Sequence, residues 1–433
     1  MNHVGATLAV LSVFVILLFL GVPVAFVLGI SSVAYCIFTE KLPFLYIVSH
    51  RMFGGMDNFV LMAIPLFLLA GEIMNRGEVS SRLVELANVI VGRLQGGLAY
   101  VNVLASTFFA GITGSALSDV AALGPVEIRM MEESGYDTEF SAAVTAASAL
   151  QAPLIPPSIP AVLLAAATGM STGAVFLAGL VPGLLLGLFS CGVIAIISRK
   201  RNYGRSSTRY STREIIRLLA RACLPMLSPI IILGGILTGA FTPTEAAVVA
   251  VAYSLIIAGV VLRSLTWPAL VDCFRSAVAG TAKIYLIIGC ANSFAWMLSM
   301  QNIPASIARF LFNLNCSPAM ILVVVNLFLL FWGMWMDTAP SIMILVPLLM
   351  PLVQKLGIHP IHFGIILIVN LMIGLLTPPF GMMLFSTIAV SRTTMRGLMR
   401  ELLPFLAAGV LVLGLVTFIP ELSLFVPRLF GLV

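Results

Sequence analysis

The sequence predicts an all-α polytopic membrane protein made of two inverted-topology repeats, each with a re-entrant helical hairpin and a broken transmembrane helix. Three observations lead there. The 433 residues are 60% hydrophobic and only 9% charged, with a mean hydropathy of +1.12, whereas soluble domains carry roughly 25% charged residues. Apolar runs at 8–38, 173–198 and 224–262 reach or exceed the about 20 residues that span a bilayer as a helix, without the alternation of barrel strands. Residues 109–125, FAGITGSALSDVAALGP, also return in outline at 331–347 as FWGMWMDTAPSIMILVP.

The offset between the two copies is constant. The step 331 − 109 = 222 also carries Gly111 to Gly333, Pro125 to Pro347, Gly135 to Gly357, Pro156-Pro157 to Pro378-Pro379, Pro182 to Pro404 and Gly187 to Gly409. A register kept this long marks an internal duplication. Residues 1–198 make the first unit, 199–223 a link and 224–433 the second. The link holds Arg199, Lys200, Arg201, Arg205, Arg209, Arg213, Arg217 and Arg221, which places it in the cytoplasm by the positive-inside rule. The formal net charge of +6 therefore reports orientation and not a nucleic-acid partner.

In chain order, 8–38 reads as one helix containing Gly21-Val22-Pro23. It has no basic leader and an apolar run too long for a signal peptide, so it is retained in the membrane. Segments 42–51 and 268–283 mix apolar and charged residues and read as helices lying along an interface, with Lys283 snorkelling to headgroups. An apolar helix at 59–73 follows, then a polar-faced one at 80–94, whose counterpart is 302–316. A compact helix at 97–109 leads into the first cluster. After Pro125 the chain turns polar over 127–135, too soon for a full crossing, so a re-entrant hairpin with its tip near Ser115 fits.

An Ala- and Ser-rich helix from 140 breaks at LIPPSIP, where Pro156 and Pro157 remove donors and clash with the preceding turn. It resumes toward Thr168, and 173–198 completes the half. Crossings at 8–38, 59–73, 97–109, 140–168 and 173–198 are odd in number, so the second half starts on the opposite face and the N-terminus lies outside.

A re-entrant tip and a broken helix from each half of an inverted repeat point to a secondary transporter with its site near the midplane. Half-helix C-termini, unwound carbonyls and Ser, Thr or Asp oxygens suit sodium, while half-helix N-termini offer free N–H groups to an organic anion. The candidate residues are Gly111, Thr113, Gly114, Ser115, Ser118 and Asp119 at the first tip, and Pro156, Pro157 and Ser158 at the first break. In the second half they are Gly333, Asp337, Thr338 and Ser341 at the tip, and Thr377, Pro378, Pro379 and Gly381 at the break.

Two roles fit Asp337, ligating sodium or making a structural hydrogen bond. Asp119 reads as the cap of the second hairpin arm, and Glu245 as a packing or coupling residue beside the kink at Pro243. The six cysteines are scattered and read as buried hydrophobes. His359 and His362 fall in a loop with a surface role. Without HExxH or another metal pattern an intramembrane enzyme is disfavoured, and without a P-loop so is an ATP-driven pump. No cofactor is expected apart from Na+ as coupling ion.

The ordered motifs GITGSALSDVAALGP, LIPPSIPAVLLAAATGMSTGAVFLAGLVPG, FTPTEAAVVAV, MDTAPSIMILVPLLMP and GLLTPPFGMMLF span almost the whole chain. They resemble the large membrane subunit of tripartite ATP-independent periplasmic (TRAP) transporters. The resemblance implies an elevator-type importer in the bacterial inner membrane, with a scaffold and a mobile transport domain carrying the two hairpins. It implies as partners a small four-helix membrane subunit and a periplasmic substrate-binding protein, and a sodium gradient as the driving force for uptake of a small organic acid. It also implies that the tips at 111–119 and 333–341 face the broken-helix loops at 154–160 and 376–382. Neither tip has the Ser-Asn-Thr triplet of the divalent-anion transporters, and neither holds Arg or Lys, which leaves helix N-termini and amides for a substrate carboxylate. A stand-alone sodium-coupled carboxylate carrier is the alternative.

Overall fold

The computed structural model describes residues 3–77, 79–204, 211–306, 309 and 317–433, with side chains except at 3–4, 6–8 and 212–223. Arg205, Arg209, Cys316 and most of the expected helix at 302–316 lie outside the described residues, as do the side chains of His3, Arg213, Arg217, Arg221 and Cys223. Among the described residues every regular element is a helix.

The apolar run expected as one helix is two, α1 (His3–Phe19) and α2 (Val24–Phe38), packed against each other. Gly21 turns the chain at φ +74, and Pro23 caps α2 with an extended backbone; a proline there supplies no N–H to continue α1. The odd crossing count assumed an unbroken helix, so the parity argument for inversion loses its premise. Next come α3 (Phe44–Met56), a short 3₁₀ turn at Phe59–Met62, α4 (Ala63–Arg76) and α5 (Val79–Val91).

The same outer layer receives α11 (Thr212–Leu237), α12 (Pro243–Leu255), a π-turn at Ile256–Val261, and α13 (Trp267–Met300). The segment at 268–283 is thus no separate interfacial helix but the first half of α13, a 34-residue strut that packs on α2, α3 and α4. Glu245, expected to pack or couple beside the kink, is exposed and closes a capping box with Thr242, whose N–H donates to Glu245 Oε2 at 2.7 Å.

The second layer starts with two antiparallel arms, α6 (Gly97–Thr113) and α7 (Ala116–Glu133), joined by a tip at Gly114 and Ser115. α8 (Thr138–Ser148) ends in a 3₁₀ turn at Ala149–Gln151. The break follows, then α9 (Ile159–Thr168) and α10 (Thr172–Arg201). In the second half the order is α14 (Pro318–Gly333), α15 (Thr338–Lys355), α16 (Pro360–Leu375), α17 (Met382–Ser391), α18 (Met395–Phe418) and α19 (Glu421–Leu429). The offset found in sequence recurs in the helix bounds: 338 − 116, 355 − 133 and 360 − 138 are each 222. Both breaks contain a cis bond between their prolines.

The halves interlock. The helix after the first break, α9, packs on the second hairpin arm α15, and the helix after the second break, α17, packs on the first hairpin arm α7. α10 lies against α16, α18 and α19. Where α14 crosses α16 the backbones nearly touch, and a Cβ on Gly374 would stand 2.6 Å from Gly333 Cα. Between α6 and α8 the contact is polar. Asn102 donates to Thr145 Oγ1 at 2.7 Å, Ser148 donates to Asn102 Oδ1 at 2.7 Å, and Thr107 donates to Gln151 Oε1 at 2.8 Å. Small hydroxyl-bearing residues allow such close helix contact where lipid offers no hydrogen bonds.

Candidate functional site

A cavity of about 940 Å³ opens between the two hairpin tips and the outer helices. On one side Ser115, Ser118, Asp337 and Thr338 bring the tips to it. On the other stand α1, α2, α4 and α13, which contribute Glu72 and Lys283. Among the described residues, these two and Asp337 are the only charged ones lining it. The first turns of α7, α9, α15 and α17 all border the cavity. A helix N-terminus presents N–H groups and about half a positive charge, and four such starts converge on this chamber, whose remaining walls are apolar, such as Trp335, Phe380 and Phe385.

The tips are capped by matched residues. Ser115 Oγ accepts from Ser118 N at 3.4 Å and starts α7. At the matching place, 337 − 115 = 222, Asp337 Oδ1 accepts from Thr338 N at 2.7 Å and starts α15. Ser341 donates to the Asp337 carbonyl at 2.7 Å and accepts from Trp332 Nε1 at 3.2 Å, which holds the second tip rigid. Asp119 therefore does not cap its arm. Its Oδ2 accepts from Ser106 at 2.8 Å across the hairpin, and it is buried away from the cavity.

Each tip leans on a break. Ile159 N–H donates to Gly114 O at 3.4 Å, and Gly381 N–H donates to Met334 O at 3.2 Å. Gly114 sits at φ +61, and a Cβ there would lie 2.1 Å from Pro157 O. Ser158 caps α9, accepting from Ala161 N at 3.1 Å and donating to Pro153 O. Thr377 Oγ1 returns to Ile373 O at 2.9 Å. The two breaks differ in exposure: 153–158 are buried, whereas Pro378, Pro379 and Phe380 are open.

Of the candidates, Gly114, Ser115, Ser118, Asp337 and Thr338 line the cavity. Gly111, Gly333, Pro156, Pro157, Ser158, Ser341, Thr377, Pro378, Pro379 and Gly381 form the supporting shell behind it, while Thr113 and Ser118 border a small gap against Glu72 and Asn75. Lys283, expected at the headgroups, is exposed and lines the cavity wall. Its signal in sequence was a lone Lys in an apolar run. His362, expected at a surface, is 2% exposed and shares a 2.7 Å hydrogen bond with Ser423. Glu127, expected in a polar exit turn, is 0% exposed on α7, because the helix runs through Pro125 to Glu133.

Apolar helices around a chamber closed by two tips and two interrupted spans define a multi-pass membrane permease and not an enzyme. The chain belongs to the family described as "Tripartite ATP-independent periplasmic transporter, DctM component", whose model matches residues 11–422. It is 38% identical over 418 residues to the sialic acid TRAP transporter large permease protein SiaM of Vibrio cholerae, covering 96% of each chain. It is 41% identical over 382 residues to the C4-dicarboxylate TRAP transporter large permease protein DctM of Pseudomonas aeruginosa, covering 88% of this chain and 89% of the relative. To the 2,3-diketo-L-gulonate TRAP transporter large permease protein YiaN of Escherichia coli it is 34% identical, with 93% and 94% covered. The solved YdaH transporter of Alcanivorax borkumensis shares the fold at a TM-score of 0.62 and 15% identity, over 89% of this chain and 90% of that one.

Proposed function

We propose that this chain is the large permease subunit that imports a small organic acid across the bacterial inner membrane. A sodium gradient drives it, and a periplasmic binding protein delivers the substrate. The observation that carries this reading is the chamber itself, where four helix N-termini suit a carboxylate and the capped tips place Ser, Thr and Asp oxygens beside it. The names of relatives, which refer to sialic acid, C4-dicarboxylates and 2,3-diketo-L-gulonate, support an organic acid as cargo.

In this reading α1–α4 and α11–α13 form a scaffold, and the two interlocked hairpin units travel past it as one body. The units are oppositely oriented repeats, each giving a tip and a break to the sodium sites. A small four-helix subunit broadens the scaffold.

The test is co-purification with the neighbouring subunits and reconstitution in liposomes, using organic acids that raise the melting temperature of the binding protein. Uptake should follow an imposed sodium gradient without ATP. Equal uptake with choline in place of sodium would end the sodium-coupling claim, and full uptake by this chain without partners would favour a stand-alone carrier.

A further inference from the structure

Glu127 has no place in the chamber, yet it is a buried carboxyl. It is 0% exposed, and neither carboxyl oxygen has a hydrogen-bond partner. One turn earlier the α7 surface is wedged between α17 and α8, so that a Cβ on Gly124 would stand 3.2 Å from Val390 and 3.5 Å from Thr145. No charge among the described residues pairs with Glu127. On the elements packed against α7, the candidates are Arg82 and Glu85 on α5, Tyr100 on α6, Glu139 on α8 and Arg392 at the end of α17. None of them bonds it. On α7 itself Arg129 pairs with Glu133, Glu132 accepts from Thr138, and Asp119 is two turns toward the tip, bonded to Ser106.

Packing does not require a carboxyl at this place. The matching residue of the second hairpin, 349 − 127 = 222, is Leu349, buried at 3% exposure. An ionised carboxylate without hydrogen bonds, cation or water is the most costly group a protein can bury, whereas the neutral acid is tolerated. Sodium needs several oxygens around it, whereas the atoms nearest the Gly124 surface one turn away are Val and Thr methyl groups.

We propose that Glu127 is a proton-binding site of the mobile hairpin body, a role that rests on the sliding-domain reading above. The body crosses the bilayer with Glu127 as the neutral acid. When the acid ionises the carboxyl O–H bond breaks, the proton passes to water as hydronium and the electron pair stays on the carboxylate; a proton from water restores the acid before the body can cross. Because the acid form crosses in both directions no net proton is carried; protonation of Glu127 gates the crossing, apart from any cation held at the tips.

Two measurements on the complex in lipid nanodiscs test this. Infrared spectra in light and heavy water should show a neutral carboxyl band in the wild type that is lost in Glu127→Gln and Glu127→Leu; a spectrum unchanged by both variants overturns the site. Second, fluorophores on Tyr46→Cys and Leu188→Cys, with native cysteines replaced, report movement of the hairpin body past α3. The crossing rate should fall about tenfold per pH unit once Glu127 ionises, and Glu127→Gln should make it independent of pH. A Gln variant that keeps the wild-type pH profile overturns the proposal. A fluorophore distance that never changes, with the infrared band present, instead brings down the sliding reading and leaves the proton site standing.

Discussion

Arg201, the last residue of α10, grips Glu401 of α18 through two hydrogen bonds of 2.7 Å each, fastening the end of the first half to the second. The same guanidinium donates to Asp137 at 2.9 Å and lies 5.6 Å from the Phe140 ring centre. Tyr203 adds a 2.7 Å bond to Asp137 and stacks on Tyr136 at 4.3 Å. A planar fork is needed to serve two carboxylates and a ring together. The cluster sits where the basic link begins, so the first residues of that link also supply the clasp between the hairpin units.

Arg201→Lys should therefore destabilise the protein although the charge is kept. Arg201 is 34% exposed and Glu401 14%, so solvent weakens the pair, and we expect a loss of roughly 1–2 kcal/mol. Melting in detergent, followed by intrinsic fluorescence, should fall by a few degrees. Glu401→Gln should cost a similar amount, and the double variant should cost less than the sum, because the two changes remove one shared contact. Additive losses would mean that the clasp is not a unit.

The tip geometry separates two glycines with the same backbone sign. Gly114 and Gly169 both have positive φ, at +61 and +73, but a Cβ on Gly169 meets nothing within 4 Å, whereas on Gly114 it meets the Pro157 carbonyl at 2.1 Å. Gly169→Ala should cost about 1 kcal/mol, from left-handed strain alone. Gly114→Ala must also push the tip off the break, and should cost more than about 2 kcal/mol and abolish uptake. Equal losses in the two variants would show that the tip does not lean on the break.

Much of this site was legible in the sequence because a membrane interior makes small polar residues conspicuous. Ser115, Asp337 and the paired prolines stand out against leucine, and a fixed 222-residue step survives any error in helix ends. Other features depend on tertiary packing. The run 8–38 has uniform hydropathy through Gly21, so only the Val22-Pro23 step showed where α1 stops. The polar stretch after Pro125 reads as an exit turn, yet α7 continues through it to Glu133, since a helix packed on neighbours can absorb one lost hydrogen bond. Ser115 and Asp119 are both good cap residues four positions apart, and only the bond from Ser118 N to Ser115 Oγ decides between them. The burial of Glu127 and His362 and the aim of Lys283 are properties of how helices meet.

Asp337 joins capping and charge in one side chain, and two substitutions separate them. Asparagine caps a helix about as well as aspartate, so Asp337→Asn should melt within about 0.5 kcal/mol of wild type while its sodium activation of uptake shifts to higher concentration. Asp337→Ala should lose the cap as well, at roughly 1 kcal/mol. Unchanged sodium activation in Asp337→Asn would leave the residue as a cap only.

Among the described residues Lys283 is the one basic side chain lining the chamber, and it stands on α13, the strut that faces the tips. The tips themselves carry no basic side chain, so a substrate carboxylate held at the helix starts can gain a full positive charge only from this outer wall. A lysine reaches such a ligand as a point charge on a flexible stem, which favours many carboxylates over one shape. Lys283→Gln should raise the KM for the carboxylate about tenfold, equivalent to about 1.4 kcal/mol, with sodium activation unchanged because the tip oxygens are untouched. Lys283→Arg should restore most of the affinity. A lysine that merely reached for headgroups would leave KM unaltered in both variants, so uptake measured against substrate concentration decides which way the side chain serves.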